Sequence, residues 1–313
     1  MQTTTLGRTG LTVSVAGLGG GGHSRLGKSY GRSHDESVAV VRRAIELGVN
    51  FIDTAAGYGT EEIVGDGIRA SGASGASVVV STKFSPYGKE GLVKGSQVRR
   101  FAERSLKRLG REVIDVYSLH GVLAEDYDYC RDELVPALLD LRDQGKIRFP
   151  GITERFNSDP AHAMLGRALD DDVFDVMMVG FNLLNPSAAR SILPRAKAAG
   201  VATQIMFAVR RALSQPQVLA EVVDGLVERG EIDGNGLDRE RPLDFLLEAA
   251  GSVVEAAYRF CRHAPGADVI LTGTGRIEHL EQNLGFIQGE PLPAGLLAQH
   301  EACFGDVDSL TGN

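Results

Sequence analysis

The sequence predicts an α/β protein: a (β/α)8 TIM barrel with an N-terminal β-hairpin and a long loop and helix insertion after the seventh strand. Three observations carry the prediction. Eight short runs rich in β-formers are near-continuously apolar rather than alternating, the pattern of strands buried on both faces of a parallel sheet. Amphipathic helical patterns separate them. The G-x-G-x-x-G fingerprint that would favour a doubly wound open sheet, the competing architecture, does not follow an early strand; the Gly cluster "GLGGGGHSRLG" (17–27) lacks the helix-opening context.

In chain order the runs are "TVSVAGLG" (12–19), "NFIDT" (50–54), "SVVVSTK" (77–83), "VIDVYSLH" (113–120), "KIRFPGIT" (146–153), "VFDVMMVGFN" (173–182), "VATQIMFAV" (201–209) and "ADVILTG" (267–273). The clearest helix has Val98, Phe101, Ala102, Ser105, Leu106 and Leu109 at i, i+3, i+4 spacing, with Arg99, Glu103, Lys107 and Arg108 opposite. Similar patterns sit near 36–47, 132–143, 161–169, 187–198, 252–263 and 277–286. Gly48, Gly110, Gly145 and Gly200 are expected C-caps. Residues 210–250 interrupt the rhythm. Val218–Val227 within them reads as an extra helix, and so long a connection reads as a lid or binding loop.

A length of 313 residues suits one large barrel, and no repeat, low-complexity tract or linker divides it, so residues 1–313 read as a single domain. A net charge of −8 without a long basic run argues against nucleic acid as a partner. The N-terminus lacks the cationic and apolar segments of a signal peptide, and no apolar run approaches the ~18 residues of a spanning helix. Cys130, Cys261 and Cys303 lie far apart, without metal-ligand spacing or an even count. The expectation is a reduced, cytoplasmic protein that engages no membrane and binds no metal.

Chemistry concentrates at one end of consecutive strands. Asp53 ends the second run, Tyr58 lies in the loop after it, Lys83 ends the third and His120 the fourth. Active sites of barrels form at that end. A phenol of pKa ~10 is a poor acid at neutral pH. An adjacent Lys83 ammonium is expected to lower it, with Asp53 holding the ammonium and His120 donating to a carbonyl. Taken singly, each residue also has a bland reading: a turn cap, amphipathic packing, a solvated strand end, a structural histidine.

The stretches "LGRTGLTVSVAGLG" (6–19), "GVNFIDTAAGYGTEEIVG" (48–65), "VVVSTKF" (78–84), "SLKRLGREVIDVYSLHG" (105–121) and "TGTGRIEHLEQNL" (272–284) resemble the aldo-keto reductase superfamily, the NADP-linked (β/α)8 oxidoreductases. The resemblance runs over nearly the whole chain. It implies that Asp53, Tyr58, Lys83 and His120 are a catalytic tetrad. It implies hydride transfer between NADP(H), with NAD(H) open, and a small-molecule carbonyl or alcohol: an aldehyde, ketone or sugar.

"ADVILTGTGRIEHLEQN" (267–283) reads independently as strand, Gly-rich turn and helix, an anion site with Arg276 suited to phosphate. The resemblance places cofactor contacts on Gly273, Thr274, Arg276, His279, Gln282 and Asn283, with His279 where relatives often have Gln or Arg. At the nicotinamide the chain departs from the family. Thr153 and Glu154 stand where relatives usually have Ser-Asn, and Met178 where Gln is common. Phe207 is expected to stack on the ring, with Arg210 or Arg211 reaching the pyrophosphate. His23, Arg25, Phe84, Tyr87 and Phe181 are candidate substrate walls. The alternative reading is a catalytically weak NADP-binding regulatory subunit; a cofactor-free lyase or isomerase using Lys83 as a Schiff base is set aside.

Overall fold

The computed structural model describes residues 1–313, the side chain of Ala76 excepted. Eight parallel strands close a barrel in sequential order: β1 (Ala16–Gly19), β2 (Phe51–Asp53), β3 (Val79–Phe84), β4 (Ile114–Val122), β5 (Ile147–Glu154), β6 (Val176–Gly180), β7 (Ala202–Met206) and β8 (Val269–Thr272). All eight fall within the apolar runs or overlap them closely. The first run divides at Val15: Thr12–Ser14 pairs antiparallel with Thr3–Thr5 as a hairpin, and the rest enters the barrel.

The hairpin supplies the floor. Leu6 and Val13, both fully buried, cluster with Phe51, Val79, Val116, Val176, Ala202 and Val269. Fully burying such a side chain contributes roughly 1.5–3 kcal/mol. The opposite end carries the long βα loops and is left to form a site.

The helices bury their apolar stripes against the barrel. They include α1 (His34–Glu46), α2 (Glu61–Ala70), α3 (Gly95–Leu109) and α4 (Val135–Asp143), followed by α5 (Ala163–Asp171), α6 (Leu193–Ala199), α7 (Val253–Arg262) and α8 (Ile277–Ile287). Gly110 and Gly200 cap α3 and α6 in the left-handed conformation, and Gly48 and Gly145 have positive φ just past their helices. The helix α2 and a C-terminal helix (Ala294–Phe304) were not among the predicted patterns. Gly65 and Gly67 disguise α2. A Cβ on Gly65 would lie 2.4 Å from the Leu109 carbonyl oxygen, and one on Gly67 2.4 Å from Val41 Cβ. Close packing between α1 and α3 therefore outweighs the poor helix propensity of glycine.

The predicted insertion is present as Arg211–Ser214 and Pro216–Glu228, followed by a helical turn at Asp244–Glu248. It has its own apolar core, in which Leu219, Val223, Leu226, Leu243 and Leu246 pack with Leu183, Leu184 and Phe304. The chain end is stitched to it by Ala212 N–H, which donates to Gly312 O at 3.1 Å, and to the loop after β6 by Asn185 Nδ2, which donates to Leu310 O at 2.7 Å. No helix among the described residues is long and apolar enough to cross a membrane.

Candidate active site

Parallel register brings the ends of β2, β3 and β4 side by side, with Asp53 opposite Ser81 and Lys83 opposite Ser118. The Lys83 ammonium is fully buried and donates to both Asp53 carboxylate oxygens and to the Thr54 carbonyl, each at 2.7 Å. It lies 5.2 Å from the centre of the Tyr58 ring. The Tyr58 hydroxyl is 3.1 Å from His120 Nε2, and the two rings meet edge to face at 5.2 Å. Four polar groups from three βα junctions thus form one contiguous cluster.

Local irregularities aim these side chains. Between Leu119↔Ile152 and Val122↔Glu154 the β4–β5 register shifts, so that His120 and Gly121 together face Thr153. Such bulges re-aim side chains beside sites. Gly121 takes φ 67°, and its N–H donates to Thr153 Oγ1 at 2.7 Å. Tyr58 ends a short 3-10 turn (Ala56–Tyr58) and packs on Gly21, where a Cβ would lie 2.5 Å from the ring. The buried Thr54 and Thr60 hydroxyls, 2.8 Å apart, tie this turn back, and Thr60 donates to Gly20 O at 3.0 Å.

Burial raises the Tyr58 phenol above its ordinary value; the Lys83 ammonium pulls it down, and Asp53 pushes it up again. The expected net lowering by Lys83 is therefore corrected: desolvation is the larger effect. Tyr58 is a neutral phenol at physiological pH, with a proton to give. Burial, aided by the charges of Lys83 and Arg155, pulls His120 down to about 3. The imidazole is neutral and can donate a hydrogen bond without carrying charge. Burial also raises the Asp53 carboxyl, opposed by Lys83.

The His120 shift predicts a pH dependence of stability. The unfolded chain takes up this proton near pH ~6.5, while the folded chain does not until near pH 3. The contribution is fully present above the unfolded value and is lost as pH falls from there toward 3. Urea unfolding between pH 7 and 4 should show the parent losing stability more steeply than His120→Asn. Equal slopes would contradict a neutral, desolvated His120.

Beside the cluster opens a cavity of about 1380 Å³, bordered by Tyr58 and Asp53 at one end and by the turn after β8 at the other. Gly273, Thr274 and Arg276 lie in that turn, and His279, Gln282 and Asn283 on the first turns of α8; all line it. Met178 forms part of the inner wall, with Phe207 and Arg210 from the β7 loop beside it. Arg210 stands 4.1 Å over the Phe207 ring and donates to Asn157 Oδ1 at 2.9 Å. The Ser24 hydroxyl, also on the wall, is buried without a partner. A cleft with a flat ring, four arginines (Arg32, Arg210, Arg211 and Arg276), a helix N-terminus and an orphan hydroxyl fits a dinucleotide: one aromatic end and a chain of anionic oxygens.

Comparison with known proteins decides the relationship. The model of the Aldo/keto reductase family matches residues 18–303. The chain belongs to the aldo/keto reductase family. It is 35% identical to L-galactose dehydrogenase of Arabidopsis thaliana over 201 residues, 63% of this chain and 61% of that protein. It is 27% identical to an NADH-specific methylglyoxal reductase of Escherichia coli over 248 residues, 72% of each. An aldo/keto reductase from Klebsiella pneumoniae, solved with NADP and acetate, superimposes with a TM-score of 0.66 at 24% identity, covering 97% of this chain and 96% of that one.

Within this aldo/keto reductase family member, several expected contacts are spent elsewhere. Thr153 does not line the cavity; its hydroxyl accepts from the Gly121 N–H beside His120. The Glu154 carboxylate is buried away from it, bonded to His162 Nδ1 at 2.9 Å and to Gly180 N–H at 2.7 Å. Of the wall candidates, His23 lines the cavity. Phe84 and Phe181 are buried outside the barrel, against Phe101 and Tyr117 and against Phe260 respectively. Tyr87 lies under Arg155 at 4.5 Å, and its hydroxyl accepts from Leu123 N–H at 2.8 Å. Sequence reasoning missed Tyr258, whose hydroxyl meets Thr272 Oγ1 at 2.9 Å on the cavity wall. It also missed the crossing of the 22–32 loop over the β8 turn, where a Cβ on Gly275 would lie 2.3 Å from Gly27 Cα.

Proposed function

We propose that this oxidoreductase is NADP(H)-dependent and moves hydride between nicotinamide and an aldehyde, ketone or sugar, with Tyr58 as proton donor in the reducing direction. The carrying observation is the Tyr58 hydroxyl itself. It sits on the cavity wall, hydrogen-bonded to a neutral His120 and adjacent to a buried Lys83–Asp53 pair.

When bound, the nicotinamide supplies the hydride. The rest is work for this chain's side chains. His120 and Tyr58 hold the substrate oxygen between two neutral donors. As negative charge develops there, Tyr58 passes its proton to that oxygen. Lys83 stabilises the phenolate that remains, and Asp53 holds the ammonium in place. The Gly273–Arg276 turn and Arg210 offer donors and positive charge for the phosphates. Phe207 offers a flat wall for the ring.

Mixing the protein with stoichiometric NADPH and excess nitrobenzaldehyde in a stopped-flow instrument tests the reading: a single turnover of nicotinamide absorbance is expected. Tight NADPH binding with no turnover would instead favour the regulatory-subunit reading, to which the lack of amide donors at Thr153, Glu154 and Met178 lends some support. The preference for the phosphorylated cofactor rests on Arg276, whose side chain is 59% exposed and has a single distant carboxylate, Glu278 at 3.8 Å. Arg276→Ala is expected to weaken NADPH about 10-fold, the scale of one lost charge-assisted hydrogen bond, and to leave NADH unchanged. Equal effects on the two in fluorescence titration would remove Arg276 from the 2′-phosphate.

A further inference from the structure

The buried Glu154–His162 pair and the aromatic stack above it belong to none of the roles assigned so far. Glu154 and His162 have no side-chain exposure at all. The carboxylate fastens two elements to the end of β5: the N–H of Gly180, closing β6, and the imidazole of His162, which opens α5 from the left-handed region at φ 64°. The imidazole lies flat on the Phe156 ring, with centroids 5.4 Å apart and planes 14° apart. Phe156 is 1% exposed and sits directly over Gly180, where a Cβ would lie 2.4 Å from the ring; only glycine leaves it room. Phe156 in turn stacks on Phe207 at 6.2 Å and 23°.

Phe207 is a wall of the cavity and also carries the Arg210 guanidinium 4.1 Å over its ring. It also holds φ 65°, a conformation that costs a non-glycine residue roughly 1–2 kcal/mol and persists only where surroundings impose it. Rigid stacking is one such imposition. We infer that Glu154 and His162 are positioning residues: acting through Phe156, they set the orientation of the Phe207 ring and with it the wall against which the nicotinamide lies. In this chain, then, stacking anchored from behind substitutes for the amide contacts missing at Thr153, Glu154 and Met178. The inference rests on the cofactor reading above.

The test compares two probes on the full chain. NADPH engages both ends of the cleft, whereas 2′,5′-ADP has the adenosine end and no nicotinamide. Phe156→Leu and His162→Gln are each expected to lower the single-turnover hydride transfer rate about 10- to 100-fold, the usual consequence of a misplacement near 1 Å, and to weaken NADPH. Binding of 2′,5′-ADP should stay at the parent value in both. If one variant fails to fold, the other carries the comparison on the same criteria. Parent-like hydride transfer in a folded variant overturns the inference. So does an equal loss of affinity for both probes, which marks a merely structural role. A parent chain that binds neither probe overturns the cofactor reading itself, and the inference with it.

Discussion

Tyr58→Phe is expected to cut turnover by about 100- to 10,000-fold, the range attributable to a positioned general acid, while NADPH still binds. The change removes one oxygen from the cavity wall and one hydrogen bond, to His120 at 3.1 Å. Stability should therefore shift by no more than about 1.5 kcal/mol, which separates loss of chemistry from loss of fold. The direction of the Tyr58 shift gives a second readout. Burial raises the phenol above its usual value, so the protonated form needed for carbonyl reduction persists through neutral pH. Alcohol oxidation needs the phenolate and should accelerate as pH rises. Steady-state rates in both directions against pH measure this. A variant that reduces aldehydes at the parent rate would remove Tyr58 from the chemistry.

Lys83→Met is expected to lose activity and to destabilise the chain by about 3–5 kcal/mol, the scale for breaking a buried ion pair from one side. Lys83 is fully buried and Asp53 nearly so, and the ammonium satisfies both carboxylate oxygens and the Thr54 carbonyl. Removing it leaves a desolvated carboxylate with no counter-charge. Adding Asp53→Asn to the same chain removes that charge and should recover most of the stability, because no ion is left uncompensated. It should recover none of the activity, since nothing then stabilises a Tyr58 phenolate. Urea midpoints and turnover of the single and double variants decide the matter. A Lys83→Met chain as stable as the parent would mean that water reaches Asp53.

Much of the candidate site was legible because its members end strands. The period of a parallel strand and the direction of the chain suffice to put Asp53, Lys83 and His120 at one rim. The same period, applied further, would have removed Phe84: it neighbours inward-facing Lys83 and so must face the opposite side. Thr153 and Glu154 could not be placed that way. The bulge at His120 and Gly121 gives Thr153 a backbone partner, and Glu154 finds His162 only because α5 begins where it does. Neither event leaves a local signature. The helix α2 was hidden for a related reason, its glycines being chosen for contact with Leu109 and Val41 rather than for propensity.

By itself, the order of apolar runs and amphipathic stripes determined the closed barrel, the insertion after its seventh strand and the rim that carries Asp53, Lys83 and His120, since hydrophobic periodicity is a local property of the chain. Only the tertiary structure decided which groups meet. It sets Lys83 on Asp53, His120 against Tyr58 and the Glu154–His162 pair behind Phe207, and it lets desolvation outweigh the ammonium in setting the Tyr58 proton. Burial and distance are properties of the packed molecule, and no window of sequence contains them.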